Sequence, residues 1–400
     1  MTHAPPSGAA TRQGPDIAEI FARYGDDARN TYSFDAEQLR TLEDIIACRT
    51  SALGGHLNAC DTCPHERPSY NSCHNRHCPK CQLTKQAQWL ALRSARVLPV
   101  RHCHIVFTLP GRLRPYAQGQ PETYYNALFE AASETLAAFG KDAKWLGGQL
   151  GITAILHTWT RDLNYHPHVH CVVTYGGLSK DGKTWLKPKH GERYLFPQKA
   201  LALVFRRIFL TKIRRRHAAE RAKDGLAPDQ YFVQLIHQLF QQKWNVYAKA
   251  PFGTPRHIFH YLGQYTHRVA ISNQRIISVT DEAVVFKTKH GKSTALKPTE
   301  FVRRFLNHVL PSGFVKIRHY GLYSPGNVKE RLEVARKLLP PGPPEPVPTT
   351  VIDPKTGKLR AVDVRTLLTQ LTGNDPSLCP ICKQGIMRPI QVIARTRGPP

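Results

Sequence analysis

Two stretches of this chain carry the residue types best suited to chemistry: His166-Pro167-His168-Val169-His170, and further along Tyr261-Leu262-Gly263-Gln264-Tyr265-Thr266-His267-Arg268. Histidines flanking a single residue on a strand face the same way and can share one metal ion, while tyrosines four apart on a helix lie on one face. His157 precedes His168 on what should be a neighbouring strand, so His157, His168 and His170 form a three-imidazole set at the end of one sheet. Imidazole accepts many divalent ions, and three neutral nitrogens leave coordination positions open to phosphate oxygens. His166, followed by Pro167, is read into the turn entering the strand. A tyrosine hydroxyl attacks phosphorus when a metal polarises the phosphate and the hydroxyl is held in line. The phosphotyrosine ester so formed retains the energy of the cut bond, so strand transfer needs no nucleotide. Metal and tyrosine together suggest DNA nicking.

The cysteines form a second constellation. Cys60-x2-Cys63 and Cys78-x2-Cys81 are two knuckles at the separation of a four-thiolate zinc site, with Cys73 and His77 as further candidate ligands in the loop between them. One zinc with spare groups and a shared two-zinc site both fit the count. A module this small builds little core of its own, so metal would supply most of its folding free energy. Whether it braces the fold or touches DNA stays open. Cys379-Pro380-Ile381-Cys382 is half a site, which either joins another knuckle or is incidental, and Cys48, Cys103 and Cys171 read as small isolated core residues.

These residues must be positioned by regular elements, and the patterning supplies them. Ile17, Ile20, Phe21 and Tyr24 recur at helical spacing, as do Leu39, Leu42, Ile45 and Ile46 behind the capping candidate Asp35. Residues 100–109, 151–160 and 169–175 read as strands, with a helix at about 121–139 between the first two. Leu201, Phe205, Ile208, Phe209 and Ile213 mark an amphipathic helix whose other face carries Arg206, Arg207, Lys212, Arg214 and Arg215. That face either tracks phosphates or is simply solvated. Trp185, Tyr194 and Phe205 could stack on unpaired bases and could equally be core. Residues 275–279 and 283–289 read as a hairpin, 298–309 as a helix, and the proline-rich 340–348 as a stiff linker.

Composition narrows the partners. Lys plus Arg number 56 against 29 Asp plus Glu, a net charge of +27 that attracts polyanions. The amino terminus lacks the apolar run of a secretion signal, and no stretch approaches a membrane span. The expectation is a cytoplasmic protein without membrane contact, whose clustered thiols bind metal rather than pair as disulfides.

Four motifs in this order resemble the rolling-circle insertion-sequence transposases of the two-tyrosine HUH class: the block ending Asn75-Arg76-His77-Cys78-Pro79-Lys80-Cys81, Leu156-His157-Thr158-Trp159, the His166–His170 run, and Tyr261 to Asn273. The resemblance spans roughly residues 40 to 340. It implies an α+β fold, with an HUH nuclease domain built on a central antiparallel sheet flanked by helices and a small amino-terminal zinc-binding module. The corresponding division is 1–50 tail and helical lead-in, 51–96 zinc-binding module, 97–275 catalytic domain with the tyrosine helix, 276–339 accessory region, and 340–400 linker and tail. The resemblance also implies cleavage of single-stranded DNA at element ends and joining to target DNA, through a 5′-phosphotyrosine and a free 3′-hydroxyl. Tyr261 and Tyr265 match the paired nucleophiles, and His168 and His170 the metal ligands. His157, Gln264 and His267 are alternatives for the third ligand. Structural zinc and catalytic magnesium or manganese would be the cofactors, Arg268 and the basic helix face would meet DNA, and the protein would act at the bacterial nucleoid, with a homo-oligomer left open. Competing readings are a plasmid relaxase or replication initiator with the same chemistry, a non-enzymatic zinc DNA-binding protein in which the tyrosines only pack, and a metal-dependent hydrolase. The hydrolase would want carboxylates, and only Asp162 and Asp181 lie near the histidines.

Overall fold

The computed structural model describes residues 14–81, 89, 96–189, 194–251, 270–289, 291–327, 330–341, 350–352, 359–361, 365–366, 369 and 373–396. Tyr261, Gln264, Tyr265, His267 and Arg268 lie outside the described residues, as does most of the proline-rich segment.

Two amino-terminal helices open the chain, α1 (Ile17–Thr31) and α2 (Ala36–Ala47). Asp16 caps α1 through the Glu19 amide, and Asp35 caps α2 in a reciprocal capping box with Gln38. Strands β1 (Gly55–Cys60) and β2 (Glu66–Tyr70) follow as a hairpin.

The centre is a five-stranded sheet. It contains β3 (His102–Thr108), β4 (Gly151–Trp159), β5 (Tyr165–Thr174), β6 (Val246–Ala248) and, further along, the strand Ile317–Gly321 at the opposite edge from β6. Every pairing in it is antiparallel. Alternation along a strand sends successive side chains to opposite faces, and here it divides the sheet by chemistry. Cys103, Ile105, Phe107, Ile152, Ala154, Leu156, Val169, Cys171 and Val173 face one way, buried in the main core. That face lies under the helices α3 (Pro121–Lys141), α4 (Gln198–Lys223) and α5 (Gln230–Gln241), which bring Phe129, Leu136, Phe205, Phe209 and Phe232 to it. The opposite register positions carry His102, His104, His157, His168 and His170. Thus Cys103 and Cys171 are the small core residues their isolation suggests.

β5 is longer than the periodicity indicates, beginning at Tyr165. His166 and Pro167 are therefore within the strand and not in a preceding turn. The register against β4 shifts between His157 and Trp159, and this bulge opposite His166 and Pro167 is where a residue with no amide to donate can sit in a sheet.

A second core joins distant parts of the chain. The strands β7 (Ile276–Val279), β8 (Val284–Lys287) and β9 (Ser293–Leu296) form a meander, followed by α6 (Pro298–Leu306). α6 buries Phe301, Val302, Phe305 and Leu306 against α1 and α2, with Phe21 edge-on to Phe305 at 5.1 Å. The last strand, β11 (Met387–Ile393, taking Ile317–Gly321 as β10), returns to the amino-terminal module and pairs antiparallel with β1. No described helix is long and apolar enough to cross a membrane.

Candidate functional site

The histidine centre is built by strand register. His157 and His168 stand directly opposite each other on β4 and β5, and His170 is two residues beyond His168, so all three share one face. One ring nitrogen from each lies within 4.8 Å of the other two, and the rings of His157 and His170 are 4.5 Å apart, centre to centre.

Neighbours orient these rings. His168 Nδ1 is 2.6 Å from the His166 carbonyl oxygen. A carbonyl only accepts, so Nδ1 carries the proton and Nε2 keeps its lone pair for a ligand bond. His170 Nδ1 is 2.8 Å from His104 Nε2, and the two rings stack at 9°. His157 stacks on Trp159 at 4.6 Å. Burial holds His168 down at about 4 and His104 at about 3, and puts His170 well below the ordinary imidazole range. Burial thus keeps these imidazoles uncharged at neutral pH, the protonation state a divalent ion requires. Buried neutral nitrogens with oriented protons fit a divalent cation.

Three residues near this centre were not singled out by sequence reasoning. His104 lies on β3 two residues from His102, and the His102-x-His104 spacing repeats the pattern of His168-x-His170 on a neighbouring strand. Arg114 donates to His166 Nδ1 at 2.7 Å, bringing a cation to the rim of the site. Tyr247 on edge strand β6 pairs with Val106, so it shares the histidine face; it is 54% exposed, with its ring 6.2 Å from that of His104.

The cysteines sort differently from their local spacing. Cys60, Cys63, Cys78 and Cys81 do not form one site. Cys78 and Cys81 gather with Cys48 and Cys73, while Cys60 and Cys63 gather with Cys379 and Cys382, each group with its sulfurs within 4.8 Å of one another. In the first group Cys48 Sγ is 3.5 Å and Cys73 Sγ 3.7 Å from Cys81 Sγ. Cys48 is accordingly no isolated core residue: it follows α2 directly, and the packing of α1, α2 and α6 brings it to the knuckle. Hydrogen bonds from Cys48, Cys73 and Cys78 hold the Cys81 thiol far below its ordinary range.

His77 belongs to neither group. Its ring is buried, with Nε2 accepting from the Leu310 amide at 3.3 Å. Burial lowers its pKa well below the ordinary value and keeps it neutral. Its neighbour Arg76 donates to the carbonyls of Leu310, Pro311 and Phe314. The knuckle is thereby fastened to the segment leading into β10, and Leu156 on β4 donates to the carbonyl of Lys316. One chain of contacts thus links the thiolate cluster to the histidine strand.

The basic helix face is split. Arg207, Arg214 and Arg215 on α4 are exposed. Arg206 is tied to the Gln242 carbonyl at 2.7 Å, and Lys212 bridges Glu130 and Glu134 on α3. Phe205 is fully buried 4.8 Å from Phe107 and is core, not a base platform. Trp185 and Tyr194 are half-buried.

Residues 151–331 match the family described as "Putative transposase", and residues 20–109 match "Transposase zinc-binding domain". The chain is 40% identical to "Putative transposase y4qJ" of Sinorhizobium fredii, over 97% of this chain and 98% of that protein. It is 28% identical to the transposase for insertion sequence element IS801 of Pseudomonas savastanoi pv. phaseolicola, over 76% of each. No solved structure matches.

Proposed function

We propose, from the premise that the chain belongs to the IS91-type insertion-sequence transposases, that it nicks and rejoins single-stranded DNA at element ends by tyrosine attack on phosphorus. The observation that carries this reading is the cluster of His157, His168 and His170 on one face of an antiparallel sheet. Three gathered imidazoles suit a divalent ion held beside a phosphate, and it is the resemblance to the two-tyrosine HUH class that makes this ion magnesium or manganese. A bound ion there would neutralise charge on the scissile phosphate. His168 and His170 would hold it with their Nε2 atoms, because the His166 carbonyl and His104 occupy their Nδ1 sides.

Tyr261 or Tyr265 would supply the nucleophile. Its oxygen bonds to phosphorus as the bond to the departing 3′ oxygen breaks, leaving a 5′-phosphotyrosine and a free 3′-hydroxyl, and the phenolic proton passes to solvent or a nearby base. The second tyrosine would attack the joining strand in its turn. Ala270, the described residue nearest these tyrosines in sequence, lines a small cavity with Trp159, the residue stacked on His157.

At this centre Arg114 would offer positive charge to the backbone and Tyr247 a ring to an unpaired base, whereas the exposed Arg207, Arg214 and Arg215 lie on α4, across the sheet from the histidines. The cluster of Cys48, Cys73, Cys78 and Cys81 lies wholly within the matched zinc-binding domain and would hold its zinc. Incubation with end-labelled single-stranded DNA carrying element ends tests the reading. Cleavage should need magnesium or manganese and disappear in His168→Ala and His170→Ala; cleavage that survives both substitutions and chelation would exclude it.

A further inference from the structure

We infer that Cys60, Cys63, Cys379 and Cys382 bind a second structural zinc ion, which clasps the tail of the chain onto its amino-terminal module. Neither matched domain assigns this site, because residues 379 and 382 lie beyond both 20–109 and 151–331.

Geometry carries the inference. A tetrahedral zinc with sulfurs at about 2.3 Å has sulfur–sulfur edges of about 3.8 Å. Cys60 Sγ to Cys382 Sγ is 3.7 Å, and Cys63 Sγ to Cys379 Sγ is also 3.7 Å. All four sulfurs lie within 4.8 Å of one another. These edges are too long for a disulfide, whose sulfurs stand about 2.05 Å apart, and all ten cysteines of the chain are free thiols. Nor is this a core arrangement. Cys60, Cys63 and Cys382 are only half-buried, and the neighbouring strands β2 and β11 have mostly exposed side chains.

The surroundings suit thiolates. The Thr62 amide donates to Cys60 Sγ at 3.4 Å and the Gly385 amide to Cys382 Sγ at 3.3 Å, the kind of outer contact that stabilises a sulfur bearing negative charge. Lys383 adopts a left-handed backbone at φ 58°, held by the hydrogen bond that its amide donates to the Cys379 carbonyl at 3.0 Å. Gly385 approaches so closely that a Cβ there would sit 2.3 Å from Cys60 Sγ. Only glycine lets the second knuckle close on the first.

The fold requires such a fastening. β1, β2 and β11 form a three-stranded sheet with little apolar burial, and its members come from opposite ends of the sequence. Joining segments 322 residues apart costs chain entropy, and this sheet offers little apolar packing to offset it. On binding, each thiol gives up its proton and the four sulfurs bond the ion, so metal affinity becomes folding free energy for the clasp.

The test uses the full-length chain loaded with cobalt, whose thiolate charge-transfer absorption counts metal–sulfur bonds and is blind to the histidine centre. Two tetrathiolate sites are expected, and Cys379→Ser with Cys382→Ser should halve the absorption and remove one of two zinc ions per chain. The unsubstituted protein gives an independent check by alkylation and mass spectrometry. Cys379 and Cys382 should resist modification until a chelator is added, then react in step with Cys60 and Cys63. Undiminished absorption in the double variant, or rapid alkylation of Cys379 and Cys382 in the zinc-loaded protein, would overturn the site.

Discussion

Replacing His104 by leucine isolates the orientation of the histidine centre from its ligands. His104 binds no ion in this account; its Nε2 lies 2.8 Å from His170 Nδ1, and with His170 Nε2 on the metal it is the Nδ1 proton that His104 accepts. Leucine fills a similar volume but accepts nothing, so the His170 N–H would be buried without a partner at a cost of about 1–3 kcal/mol, or the ring would reorient. Loss of such an outer partner lowers metal affinity about 10–100-fold. Manganese binding measured calorimetrically at pH 8 reads this directly, and magnesium-dependent nicking should fall in parallel. His102→Leu is the matched control. It sits on the same strand and face, but its Nε2 meets the Tyr323 hydroxyl at 2.9 Å and no metal-site histidine. It should lower thermal stability and leave manganese affinity unchanged. A folded His104→Leu protein that binds manganese like the parent, or an equal loss in both variants, would refute the reasoning.

Other outcomes follow from the same geometry. Cys48→Ser should remove one zinc ion per chain and lower the melting temperature of the amino-terminal helices, whereas Cys103→Ser should leave zinc content unchanged; metal analysis decides between this and a purely apolar Cys48. His102 and His308 are buried and held down at about 4 against an ordinary 6.5. As pH falls the unfolded chain takes the protons first, so stability is full above about 6.5 and is lost between 6.5 and 4, by about 3 kcal/mol per histidine. Urea unfolding of parent and His308→Gln should show a shallower acid loss in the variant, and identical slopes would count against it. Tyr247→Ala should weaken single-stranded DNA binding by about 1–3 kcal/mol if its ring stacks on a base, while Phe205→Ala should cost about 3–5 kcal/mol of stability as a core cavity. Replacing Arg207, Arg214 and Arg215 together should flatten the salt dependence of DNA binding, each phosphate contact contributing about 0.7 to the slope.

Local features of the fold were legible in the sequence because local rules govern them. The alternation of His168 and His170 fixed a shared face, and His157 joined them because a neighbouring strand brings it into register. The Asp35 cap and the helical spacing of Ile17, Ile20 and Phe21 marked α1 and α2. Long-range pairing was not legible. Two knuckles close in sequence suggested one site, but β11 returns across the chain to β1 and draws Cys60 and Cys63 away from Cys78 and Cys81. Cys48 seemed isolated because its partners are separated from it by the whole β1–β2 hairpin. His77 looked like a ligand by spacing, yet the docking of Arg76 on residues 310–314 turns its ring toward Leu310. His104 was overlooked because its role depends on the pairing of β3 with β5, which no local pattern announces.

The central claim is covalent chemistry at tyrosine, and the most direct measurement is peptide mapping by mass spectrometry after reaction with a short single-stranded element end and manganese. A nucleotide adduct on Tyr261 or Tyr265, absent after chelation and in the double change Tyr261→Phe and Tyr265→Phe, is the expected result. Cut DNA with a free 5′-phosphate and no adduct, or an adduct on another residue such as Tyr247, would contradict the account.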